Sequence, residues 1–166
     1  MFTLKPISPD SVDGALAKAE RYRLLNEPNE AESICRDILQ VDPTNREARV
    51  SVILALTDQL YEDNSAFSNA LNMISGLESE YDRAYYSGIA WERRAKAYYR
   101  AATMGSAREV YDCLVKALDL FEKAERLRSP GNDDTILRWN ACVRFLERHK
   151  ELQPSREDVP EPVISE

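Results

Sequence analysis

The stretch Ala117-Leu118-Asp119-Leu120-Phe121-Glu122-Lys123-Ala124 places a small residue, a bulky apolar one four positions on, and a small one three beyond that. Those steps put Ala117, Phe121 and Ala124 on one helical face, with a small side chain where a neighbouring helix must come close. The same spacing recurs as Ala31, Cys35, Ile38 and as Ala70, Ile74, Leu77. A unit that returns along a chain in this way describes stacked helical hairpins before it describes any chemistry.

Punctuation around these stretches divides the chain into seven expected helices. Ser8 followed by Pro9 reads as an N-cap with proline in the first position of a helix running to about Leu25. After a turn at residues 26–29, Pro28 opens a second helix that Asp42 and Pro43 stop near Val41. Thr44 with Glu47 reads as a capping box for a third helix reaching about Tyr61. Asn64 or Ser65 caps a fourth, ending near Glu80.

The fifth helix is expected from about Tyr81 to Met104. Gly88 and Ala95 alternate on it with Trp91 and Tyr98, so that another helix can approach closely. Gly105 ends it, and Ser106 with Glu109 starts a sixth that Ser129, Pro130 and Gly131 break. A seventh, residues 132–150, is striped by Ile136, Trp139, Val143 and Leu146. No stretch alternates like a strand bounded by hairpin turns.

Composition narrows the class. The chain has 166 residues, enough for one well-buried core and too few to expect two full domains. Formal net charge is -7, which argues against a broad nucleic-acid interface. Residues 151–166 carry -4 of that charge together with Pro154, Pro160 and Pro162, and read as an acidic segment that cannot bury enough apolar surface to order itself. Residues 1–7 read as an N-terminal extension without signal-peptide character, and no run approaches the length of a membrane span.

Cys35, Cys113 and Cys142 lack the paired spacing of a disulfide or metal site and read as core thiols of a reducing compartment. A cytoplasmic protein without a membrane partner is therefore expected. His149, the single histidine, lies between Arg148 and Lys150 at the end of the last helix, where positive charge favours the helix dipole. There is no Cys-x-x-Cys, no His-Glu-x-x-His, no glycine-rich phosphate loop and no nucleophile elbow. The sequence thus predicts no catalytic residue, no cofactor and no metal, and a protein that is not an enzyme.

These residues resemble the tetratricopeptide repeat, a 34-residue helix pair with small and large residues in a set order closed by proline. The first unit matches from Tyr22 through Ala31, Cys35 and Ile38 to Pro43. The run Asp42-Pro43-Thr44-Asn45-Arg46-Glu47-Ala48 resembles the usual junction between repeats, and the third unit matches through Trp91, Ala95 and Tyr98, then Ala117, Phe121 and Ala124.

The departures are specific. In the second unit Ala70 arrives about five residues late, and the closing proline is replaced near Asp82. In the third, Ala117 follows Trp91 by about ten residues more than the repeat allows. Split between two arms, that surplus lengthens each by roughly 7 Å, and the hairpin should project.

The resemblance implies an all-α, TPR-like α-solenoid over residues 8–150, with repeats at about 8–43, 44–80 and 81–130 and a capping helix at 132–150. It implies a protein–protein interaction module, an adaptor, scaffold or assembly factor, that holds a peptide or partner helix on the concave face or at the projecting third hairpin. Inner-surface positions on this view include Leu16, Glu20 and Arg23, then Val50, Leu54 and Thr57, then Ile89, Lys96, Tyr99 and Arg100. The candidate partner contacts are Leu16, Arg23, Val50, Leu54, Lys96, Tyr99, Arg100 and, at the tip, Tyr111.

Two alternatives stand beside this: a secretion-type chaperone of the three-repeat class, and a non-catalytic regulatory subunit docking through the tip from Tyr99 to Tyr111. The family's clamp for a carboxylate tail is not expected, because Glu20 stands where a cation is needed. The bland counterpart for Lys96 is an intrahelical pair with Glu92 on a solvated face, and Arg94 should point away from Arg93, Lys96 and Arg100.

Overall fold

A computed structural model describes residues 2–63, 65–101 and 106–154. It is all-helical: α1 (Val12–Leu24), α2 (Pro28–Val41), α3 (Arg46–Asp58), α4 (Ser65–Ser75), α5 (Glu80–Ala101), α6 (Ser106–Leu127) and α7 (Asp134–Arg148), with 3₁₀ turns at Pro9–Ser11 and Lys150–Leu152. No strand occurs among the described residues.

The joints follow from local chemistry, in places one residue away from the sequence reading. Ser8 makes no side-chain cap, and Pro9 instead opens a 3₁₀ turn that runs into α1. Asn26 closes α1 in the left-handed region at φ 61°. With it, the Glu27 N–H reaches back to the Tyr22 carbonyl at 2.9 Å, which satisfies a terminal acceptor of the helix.

At the α2–α3 joint the capping box expected at Thr44 and Glu47 is not the cap. Asp42 captures the Thr44 N–H and hydroxyl at 3.2 and 2.9 Å, so Asn45 takes over and accepts from the Ala48 N–H at 2.9 Å. The Thr44 hydroxyl and the Asn45 amide hold the Asp42 carboxyl below its ordinary range. Two helices stop earlier than expected, α3 at Asp58 and α4 at Ser75. Residues 102–105 and Asn64, on which helix ends were expected, lie outside the described residues, as does the Ser106 side chain of the expected capping box.

Each helix packs on the next in sequence, and α1 packs on α3, α3 on α5 and α5 on α7. All three repeated triads face inward: Ala31, Cys35 and Ile38; Ala70, Ile74 and Leu77; Ala117, Phe121 and Ala124 are buried. Gly88 permits the closest approach, since a Cβ there would stand 2.5 Å from the Phe121 ring.

The surplus length appears as two 22-residue helices, α5 and α6, against 11 to 14 residues in α1 through α4. Their far ends are flanked by α7. Tyr99 of α5 packs edge-on against Phe145, and its hydroxyl meets His149 Nδ1 at 2.9 Å. The order continues past the expected boundary at residue 151, because Leu152 is buried where its turn packs on α6 and α7. The remainder of the expected acidic segment, residues 155–166, lies outside the described residues.

Candidate functional site: a charged cleft between α3, α5 and α7

The third helix ends beside the middle of α5, and charged side chains from four elements converge there. Asp58, the last residue of α3, receives Arg23 from α1 at 2.9 Å and Arg93 from α5 at 2.5 Å. The same Arg93 nitrogen donates to Thr57 Oγ1 at 2.6 Å and to the Leu54 carbonyl at 3.1 Å, so it also caps the end of α3. Burial pulls the Arg93 guanidinium below its ordinary range, against the pull of Asp58. An arginine keeps its proton in such a place, and the contacts fix its position.

One residue before Arg93 on α5, Glu92 is fully buried. Its two oxygens meet Lys96 Nζ at 2.5 Å and Arg138 of α7 at 3.5 Å. Burial draws the Arg138 guanidinium down, but Glu92 and the Tyr85 hydroxyl outweigh it and leave the group above its ordinary range. A buried carboxylate is tolerated only when paired, and both of its partners keep about a third of their side chains in solvent. The Glu92–Lys96 pair expected on a solvated face is therefore half inside the protein.

Beyond Lys96, Arg100 lies over the exposed Tyr61 ring, 4.9 Å from its centroid, and makes no ion pair among the described residues. The cleft so formed has a volume of about 260 Å³ and is lined by Thr57, Asp58, Arg93, Lys96, Arg100 and Arg138, with Asn26, Tyr61 and Glu92 completing the wall. It continues into a second cavity of about 450 Å³ at the start of α2. Arg94 turns the other way, as expected, and stacks 4.1 Å from the Phe67 ring with Trp91 and Tyr98 beside it.

Of the eight candidate contacts, Lys96 and Arg100 line this cleft and Arg23 reaches it through Asp58. Leu54 supplies its carbonyl to Arg93 while its side chain is half-buried. Leu16 packs on the core of the first helices. Val50 and Tyr111 are half-buried and line neither cavity. Tyr99, expected on the inner surface as a partner contact, instead faces α7.

Sequence reasoning missed Asp58, Asn26, Tyr61 and Arg138. Arg138 carried a signal, a cation between Thr135 and Cys142 at steps of three and four on an otherwise buried stripe. Glu92 carried the same one, between Gly88 and Ala95. A charge in register with a buried face announces an internal ion pair.

Among the described residues no group of histidine, cysteine and carboxylate side chains has metal-binding geometry, and no helix is long and apolar enough to cross a membrane. The chain matches no protein-family model, no curated protein and no solved structure.

Proposed function

We propose that this chain is a protein–protein interaction module of the cytoplasm, an adaptor, scaffold or assembly factor, which acts by presenting a shaped and charged surface and performs no turnover. In this reading its helices form a TPR-like α-solenoid of three pairs, with α7 as the closing helix. Support comes from the packing of alternate helices, α1 on α3 on α5 on α7, while α2, α4 and α6 make no comparable contact with one another among the described residues. Such an array gathers the first helix of each pair on one side and opens a surface suited to an extended segment or a helix.

The observation that carries the reading is the sign of the cleft between α3, α5 and α7. Arg23, Arg93, Lys96, Arg100 and Arg138 gather around only two acids, Asp58 and Glu92, in a chain whose net charge is -7. A local charge opposite to that of the whole molecule marks where a partner is attracted and oriented.

The test is affinity capture with chemical cross-linking from the native cell, comparing the wild type with Arg100→Glu and Tyr61→Ala. Both side chains are exposed, so the fold should persist, whereas Lys96 pairs with buried Glu92 and is unsuited to this test. The expected result is loss of a discrete set of cross-linked proteins with unchanged circular dichroism. Identical capture by all three chains removes the cleft as the binding surface.

A further inference from the structure

The two joined cavities have opposite signs. Between α5 and α7 the wall presents Arg93, Lys96, Arg100 and Arg138, and its two acids are already engaged, Asp58 by Arg23 and Arg93, Glu92 by Lys96 and Arg138. Toward the start of α2 the wall presents Glu27, Glu30 and Glu62, all exposed and without an ion pair among the described residues. Asn26, Asp58, Tyr61 and Arg100 belong to both cavities, so the two form one groove with a seam where Arg100 covers the Tyr61 ring.

We propose that this groove takes a mixed-charge segment of a partner protein, with an acidic side chain against Lys96 and Arg100 and a basic side chain against Glu27, Glu30 and Glu62. The inference rests on the interaction-module reading above and adds the partner's chemistry. A uniformly acidic segment entering the groove meets three uncompensated carboxylates, and a uniformly basic one meets the surplus cations of the other end. Each is rejected by one half of the wall, which is how charge patterning confers selectivity. A mixed segment satisfies both halves. The larger cavity, about 450 Å³, is within the range of pockets that enclose several side-chain groups.

The experiment uses the full chain and three fluorescein-labelled synthetic peptides of equal length and equal apolar content, one acidic, one basic and one carrying a glutamate pair and a lysine pair apart from each other. Fluorescence anisotropy should show the mixed peptide binding about tenfold tighter than either uniform one, with the advantage shrinking as salt is raised. Arg100→Glu should abolish that advantage. Combined Glu27→Lys, Glu30→Lys and Glu62→Lys should transfer the preference to the acidic peptide, a gain that a misfolded chain does not produce; the melting temperature is read alongside.

Equal affinity for all three peptides, or no transfer in the lysine variant, overturns the proposal. So does displacement of the mixed probe by a free peptide of residues 155–166, since the groove would then belong to the chain's own segment. Failure here is separable from failure of the broader reading. If Arg100→Glu abolishes partner capture while the three peptides bind alike, the interaction module stands and its mixed-charge partner does not.

Discussion

The α1–α4 half and the α5–α7 half bury the same spacing of small and bulky residues with different materials. In the first half the triads are closed by Cys35, Ile38 and Ile74 against alanines, between helices of 11 to 14 residues. In the second, Phe121 takes the bulky position, Gly88 clears space for its ring, and the helices run to 22 residues. In the short-helix triads the bulky position is filled without an aromatic ring. The longer α5 outruns α3, whose final residue meets it at Arg93, and there α5 places a fully buried glutamate between lysine and arginine. Charge enters the interior of α5 at both ends of its contact with α3, at Glu92 and at Asp82, which Arg46 meets at 2.7 Å.

That contrast is breakable, most forcefully at the bulky position of each triad. Phe121→Ala should cost about 3–5 kcal/mol in urea unfolding, Ile74→Ala should fall near the lower end of about 2–5 kcal/mol, and Cys35→Ala should cost least. A flat series would mean that the two halves are packed alike. Gly88→Ala comes next. Although alanine improves helix propensity by about 1 kcal/mol, the added methyl meets a buried ring, and a net loss of about 1–3 kcal/mol is expected. Phe121→Leu added to Gly88→Ala should recover part of it.

Per pH unit, a smaller effect appears in alkali. Burial, reinforced by the Glu92 carboxylate, pushes the Cys142 thiol up to about 12 from its ordinary 9.0. Burial raises Tyr81, Tyr85 and Tyr86 in the same direction. The unfolded chain releases these protons first, so the stability they contribute is intact below pH 9 and drains as pH rises toward 12. Cys142→Ala should remove about one proton from that dependence, about 1.4 kcal/mol per pH unit, measured as the slope of unfolding free energy against pH. Smallest of all, Arg108→Ala removes the exposed pair with Asp112 and should change stability by less than about 0.5 kcal/mol.

The helices were legible in the sequence because their punctuation is local: Pro28, Pro43, Gly131 and the repeated triads each act within a turn or two. The misplaced cap shows the limit of that logic. Thr44 and Asn45 both suit an N-cap, and the choice between them turns on Asp42 capturing the threonine. The cleft was half legible. Lys96 and Arg100 lie on one helix at a spacing of four, so their shared face could be read directly. Asp58 and Arg138 arrive from helices distant in sequence, and Tyr99 turned toward α7 because Phe145 and His149 were there to receive it. Such meetings depend on how helices pack, which no single helix encodes.

The three thiols offer a further use. Cys35, Cys113 and Cys142 sit on α2, α6 and α7, each closed to solvent and each raised in pKa by burial. They are built-in reporters of local opening, because a sulfhydryl alkylates only while its helix is parted from its neighbours. Pulsed alkylation resolved by mass spectrometry would time each separately. Reaction of Cys35 ahead of the other two would reveal that the short-helix half breathes on its own, whereas simultaneous reaction would show the whole stack opening as a single cooperative unit.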